Sequence, residues 1–128
     1  MHGNVDLLKS AYAAFSAGDL DKATENWADD IIWHAGSVGP IAGDYKGKDE
    51  VMGFFATLMQ ETGGTFKLSV THVLADDHYA MALLNASAER NGRRFDQPVT
   101  HCFRMVDGKV AEFWSFASDA KQVMDVWA

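Results

Sequence analysis

The sequence predicts an α+β domain, helices first and a sheet after them, on three observations. Apolar residues recur at helical spacing up to about residue 62, and from Thr65 the period falls from about 3.6 to 2. The dipeptides Asp76-Asp77, Asn91-Gly92 and Asp107-Gly108 then punctuate the second half as hairpin turns. Strands that follow one another through tight turns pair antiparallel, which leaves the helices to cover one face. With 128 residues and 48% of them hydrophobic, the chain has material for one core, and residues 1–128 read as a single domain.

Each element has its own signal. Asn4 is positioned to cap a first helix whose Val5, Leu8, Tyr12 and Phe15 form an apolar stripe, and Gly18 offers the left-handed stop. Asp19 caps a second helix carrying Leu20, Ala23 and Trp27 and ending near Asp29-Asp30, after which residues 31–34 read as a short strand. Residues 36–47 are rich in turn formers and read as a loop that covers a pocket. A third helix, from about Lys48 to Thr62, shows Val51, Phe54, Phe55, Leu58 and Met59 in an i, i+3, i+4, i+7, i+8 pattern, and Gly63-Gly64 ends it. Strands follow near 65–75, 78–90, 93–105 and 109–117. In the first of them Phe66, Leu68, Val70, His72 and Leu74 share a face; in the third Phe95, Gln97, Val99, His101 and Phe103 do. The stretch from Asp119 to Trp127 reads as a closing helix or turn.

Composition narrows the function. The net charge is −7 and the basic residues are dispersed, apart from a short group between Arg90 and Arg94 that reads as a solvated hairpin tip, so nucleic acid and anionic membranes are poor partners. The N-terminal residues carry neither a basic segment nor a long apolar run, and a single cysteine, Cys102, leaves no internal disulfide; a cytoplasmic protein is expected. The five histidines show no i, i+4 pairing, no carboxylates cluster at ligand spacing, and no glycine loop leads into a phosphate-binding helix. No metal and no cofactor are expected.

Asp119 is the first catalytic candidate, because a carboxylate at the mouth of an apolar strand can be tuned by desolvation to work as a general base near neutral pH. Its alternative role is to cap the closing helix, and one residue can fill both. His101, mid-strand on an apolar face, is either a neutral structural imidazole or a pocket donor for a developing oxyanion. His34, beside the glycine-rich segment, is a candidate proton shuttle at the pocket mouth, while His72 has a weaker claim and His78 reads as a turn residue. Tyr12, Trp33, Phe54, Met59, Phe103, Trp114 and Phe116 are the expected pocket lining.

The order of elements, with Ala17-Gly18-Asp19-Leu20, Trp27-Ala28-Asp29-Asp30, Gly43-Asp44-Tyr45-Lys46-Gly47 and the tail from Gly108 to Asp119, resembles the nuclear transport factor 2-like superfamily. More narrowly it looks like the SnoaL-like polyketide cyclases and the ketosteroid isomerase relatives. The resemblance implies a cone-shaped, mostly antiparallel curved sheet wrapped on three N-terminal helices, with an apolar pocket inside and a homodimer through the sheet's outer face. Of the isomerase's tyrosine, base and neutral acid, the matching positions here hold Ala11, Ala35 and His101, so steroid isomerisation by that route is not expected. The epoxide-hydrolase relatives' mid-sheet Arg-x-Asp is likewise replaced, by the strand Met81 to Asn85. What the resemblance preserves is the acid of the last strand, at Asp119. The expected function is cofactor-free general acid–base catalysis on an apolar, carbonyl-bearing polyketide-, terpenoid- or steroid-like molecule. The alternatives are a non-catalytic binding module for an apolar ligand and a structural dimerisation domain with a filled cone.

Overall fold

A computed structural model describes residues 2–36 and 39–127. Helix α1 (Gly3–Ser16) and the short α2 (Leu20–Ala23) lead into strand β1 (Trp27–Ala35), a 3-10 turn (Gly39–Ile41), strand β2 (Gly43–Lys46) and helix α3 (Lys48–Glu61). Strands β3 (Lys67–Ala75), β4 (Tyr79–Arg90), β5 (Arg93–Val106) and β6 (Lys109–Ala117) and helix α4 (Ala120–Asp125) complete the chain. The six strands form one sheet in the order β2-β1-β6-β5-β4-β3, antiparallel except where β1 runs parallel to β6. The α+β class and its mostly antiparallel sheet follow as expected.

Three local expectations are corrected. The cap of α1 is His2, whose Nδ1 accepts the Asn4 amide at 3.1 Å. Asn4 instead is buried, and its side-chain amide donates to the Asp76 carbonyl at 3.0 Å, tying the helix start to the turn after β3. The second helix stops at Ala23, and β1 begins at Trp27, four positions before the expected Ile31. Burial outweighs helical spacing there: the Trp27 ring lies 5.1 Å from Trp33 and 5.9 Å from Phe55, and Trp27 pairs with Val110 of β6. The pairing is irregular between Trp27 and Ile32, which leaves Asp29 and Asp30 exposed within the strand.

The glycine-rich segment, expected to be all loop, contains β2 as an edge strand on β1. Ser37 and Val38 of that segment lie outside the described residues. Gly47 turns the chain into α3 with φ +82°, a conformation costly to any residue bearing a Cβ, and its amide donates to the Ile31 carbonyl at 2.7 Å.

On β3 the pairing with β4 shifts between Val70 and His72, so Thr71 is an extra residue. The face therefore flips past the bulge. Val73 is buried, whereas His72 and Leu74 are exposed, contrary to the single five-residue stripe that simple alternation predicts. On β5 the alternation is unbroken, and Phe95, Gln97, Val99, His101 and Phe103 are all buried. The concave face of β4 carries Ala80, Ala82, Leu84, Ala86 and Ala88, all buried. Small side chains there let the neighbouring layers approach closely. The core lies between this face and the helices, with Leu8, Ile31 and Val51 among its most enclosed members.

Candidate functional site

The concave side of the sheet and the helices enclose a cavity of about 120 Å³. Helix α1 contributes Ala11 and Tyr12, β1 contributes Trp27 and Trp33, α3 contributes Phe54 and Phe55, and β5 and β6 contribute His101, Phe103, Phe113 and Ser115. The wall is mostly apolar and rich in aromatic rings. Trp33 and Phe113 stack at 3.6 Å with planes 15° apart, and Phe55 meets Trp33 edge-on at 5.2 Å.

Two polar side chains meet inside this wall. The Tyr12 hydroxyl lies 2.6 Å from His101 Nδ1, with the two rings nearly parallel, 19° apart. Burial lowers the His101 pKa to about 3 and raises that of Tyr12, so both are neutral across the ordinary pH range. A neutral imidazole carries one proton. The Tyr12 hydroxyl has no other acceptor among the described residues, so it donates to Nδ1 and leaves the proton of His101 on Nε2. That Nε2–H makes no hydrogen bond to any described residue, and His101 borders the cavity. A neutral donor in an apolar, low-dielectric enclosure suits a ligand oxygen that is, or becomes, negatively charged.

The remaining expected site residues fall elsewhere. Asp119 is exposed and outside the cavity lining; it caps α4, accepting the Gln122 amide at 3.2 Å. Its backbone is held by buried Gln97, whose amide group donates to the Asp119 carbonyl at 2.9 Å and accepts the Asp119 amide at 2.8 Å. The arrangement realises the capping role and does not bring Asp119 together with His101. Replacing Asp119 with asparagine, an equally good cap, is expected to leave melting temperature and ligand affinity unchanged, whereas alanine costs about 1 kcal/mol in chemical denaturation. A large loss of affinity in the asparagine variant would return the carboxylate to the site.

His34 sits on the outer face of the sheet. Its Nδ1 lies 2.8 Å from Asp44 and its Nε2 2.6 Å from Glu112, and Glu112 also accepts from Arg104 at 3.1 Å. The hydrogen bond to Glu112 is the largest cause of a raised His34 pKa, and His34 in turn lowers that of Glu112. Trp114 stacks on this imidazole at 5.4 Å, and Phe116 is 57% exposed on the same outer side. Met59 is exposed on α3. Of the seven expected lining residues, Tyr12, Trp33, Phe54 and Phe103 line the cavity, while Met59, Trp114 and Phe116 do not.

The physical reason is one of phase. Val110 and Ala111 are both buried and the pairing of β5 with β6 shifts between Arg104 and Met105, so Phe113 and Ser115 face inward and the bulkier Trp114 and Phe116 outward. Ser115 was findable as the cross-strand partner of His101, and Phe113 as the partner of Phe103. Asn26, in the turn before β1, also lines the cavity and had no sequence signal. Among the described residues no group of three or more His, Cys, Asp or Glu side chains is arranged to hold a metal, and no helix is long and apolar enough to cross a membrane.

Helices closing an aromatic cavity against a curved mixed sheet define a protein of the NTF2-like, or cystatin-like, cone class. Within that class the chain belongs to the SnoaL-like domain family, whose model matches residues 8–113. The uncharacterized protein Rv0034 of Mycobacterium tuberculosis H37Rv is 25% identical over 98% of this chain and 96% of its own length. Bal32a, from a soil-derived mobile gene cassette, superposes with a TM-score of 0.91 at 32% identity, covering 98% of this chain and 96% of that one. IdmH of Streptomyces antibioticus, a putative polyketide cyclase, shares the fold with a TM-score of 0.75 at 18% identity, covering 99% of this chain and all of its own.

Proposed function

We propose that this chain takes an apolar, carbonyl-bearing small molecule into the cone and polarises its carbonyl through His101 Nε2–H. The observation that carries this reading is the Tyr12–His101 hydrogen bond inside a mostly apolar cavity. Donation by Tyr12 holds the imidazole as the Nε2–H tautomer, and a preorganised donor stabilises an enolate oxygen more than it does the parent ketone. Among the described residues no carboxylate lines the cavity, so the chemistry that fits is loss of a proton to a water molecule or hydroxide ion from a carbon already acidified by flanking carbonyls, the electron pair of the broken C–H bond passing to the carbonyl oxygen that Nε2–H holds, as in a polyketide-like substrate. Cyclisation, isomerisation or dehydration then proceeds from the stabilised enolate. Similarity to a putative polyketide cyclase supports this substrate class.

The test is hydrogen–deuterium exchange at the activated carbon of an aryl β-diketone, followed by NMR, together with quenching of the fluorescence of Trp27 and Trp33. Saturable quenching with accelerated exchange supports the enzyme. Quenching with exchange no faster than in buffer moves the assignment to a non-catalytic binding module, and neither response removes both.

The outer sheet face is proposed to pair with a second copy of the chain. Leu74, Tyr79, Met81, Leu83 and Phe116 expose apolar surface there, and a two-fold axis through such a face buries the same patch twice. Sedimentation velocity at micromolar concentration is expected to show a dimer, and Met81→Glu a monomer with the same circular dichroism; a monomeric parent chain overturns the pairing.

A further inference from the structure

The cavity holds two further polar groups that the fold does not use, and they lie towards opposite ends of it. Ser115 is the direct cross-strand partner of His101, so the two side chains leave neighbouring strands on the same face and both line the cavity. Asn26 lies at the other end of the β6 wall: its carbonyl accepts the Val110 amide at 2.9 Å, which leaves its carboxamide uncommitted. Neither the Ser115 hydroxyl nor the Asn26 carboxamide hydrogen-bonds any described residue. Val110 and Ser115 are five residues apart on one strand, about 16 Å between Cα atoms at the usual rise. Between them the wall is Phe113 stacked on Trp33, a surface that accepts a flat ring.

Volume sets the ligand's size. An engineered cavity of roughly 150 Å³ holds one benzene ring, and the space here is about 120 Å³. Four fused rings do not fit that space. Polar groups left without partners in an apolar enclosure penalise a ligand that cannot satisfy them.

Resting on the reading of the cone as a carbonyl-binding pocket, we infer that its ligand is a flat single-ring compound with oxygen functions at both ends. His101 and Ser115 hold the carbonyl end, and Asn26 holds a hydroxyl or second carbonyl at the other. Ser115 and Asn26 are thus specificity-determining residues.

The test measures dissociation constants of the whole chain for acetophenone, para-hydroxyacetophenone, a hydroxynaphthyl methyl ketone and progesterone, by calorimetry. Para-hydroxyacetophenone is expected to bind about fivefold tighter than acetophenone, and the naphthyl ketone and progesterone more weakly than either. Asn26→Ala is expected to abolish the hydroxyl advantage while sparing acetophenone, since the backbone bond to Val110 does not depend on the side chain; Asn26→Ser, which keeps a polar group, is the second variant. Ser115→Ala is expected to weaken all the ketones alike. A hydroxyl advantage that survives Asn26→Ala, its absence in the parent chain, or tightest binding of the naphthyl ketone or progesterone overturns this inference. Binding of acetophenone that depends on His101 without any hydroxyl advantage overturns this inference alone, whereas failure of every ketone to bind overturns the carbonyl pocket as well.

Discussion

Replacing His101 with phenylalanine is expected to lower carbon-acid exchange by about a hundredfold to a thousandfold, the usual effect of removing one oxyanion donor. The same variant is expected to change how stability depends on acid. In the folded chain His101 has a pKa of about 3, and in the unfolded chain about 6.5. Between those values the unfolded state binds more protons, so stability falls as pH is lowered through the window and is fully retained above about 6.5. The slope contributed by one such group is at most ~1.4 kcal/mol per pH unit. His34 acts in the opposite direction: its raised pKa gives stabilisation that is present below the ordinary histidine value and lost as pH rises through the folded one. Urea titrations at about pH 4.5, 5.5 and 7.5 are therefore expected to show a flatter acid limb in His101→Phe than in the parent chain. An unchanged slope would mean that His101 titrates normally and is not sealed in the cone. The exchange assay reads the chemistry separately, because the orphaned Tyr12 hydroxyl affects stability in either case.

Truncating Phe113 to alanine is expected to be the most destabilising change on β6. The ring stacks on Trp33 at 3.6 Å and touches Phe103 at 5.3 Å and His101 at 4.8 Å, so its loss removes contacts to three partners and leaves a hole among them. Such truncations cost about 3–5 kcal/mol, which for a chain of this length corresponds to roughly 10–20 °C in melting temperature. By contrast, Phe116→Ala, at an exposed position of the same strand, is expected to change the stability of the monomer by no more than about 0.5 kcal/mol. Equal losses in the two variants, measured by thermal melts at low protein concentration, would show that β6 presents the other face to the core.

Much of this architecture was legible because local signals and burial agree. The Asn91-Gly92 and Asp107-Gly108 hairpins have Asn91 and Asp107 at positive φ, as their composition predicts. The β5 stripe through His101 lies where alternation places it, and the match of His101 to a catalytic position of the related isomerases points it at the pocket. Where alternation and burial disagree, a single irregularity intervenes. A bulge at Thr71 exposes His72, and another near Val110 turns Trp114 and Phe116 outward, and neither bulge has a glycine or proline to announce it. The Tyr12–His101 pairing joins residues 89 apart. Helical rotation counted against Tyr12, since Ala11 is the position matched to the related enzymes, yet both side chains border the cavity because a long phenol reaches where its neighbour's methyl only faces. Asn26 lies in a turn whose sequence gave no reason to look inward.

The neutrality of the Tyr12–His101 pair carries over to how binding data from this chain are interpreted. With neither partner ionising between about pH 4 and the alkaline range, the interior presents a guest with the same face throughout. Any bend in a plot of affinity against pH therefore belongs to the guest, and its midpoint reports the guest's own ionisation as shifted by the cone. The protein thus serves as a silent reference electrode for its ligand, and the direction of that shift tells whether the enol or the enolate is the form it holds.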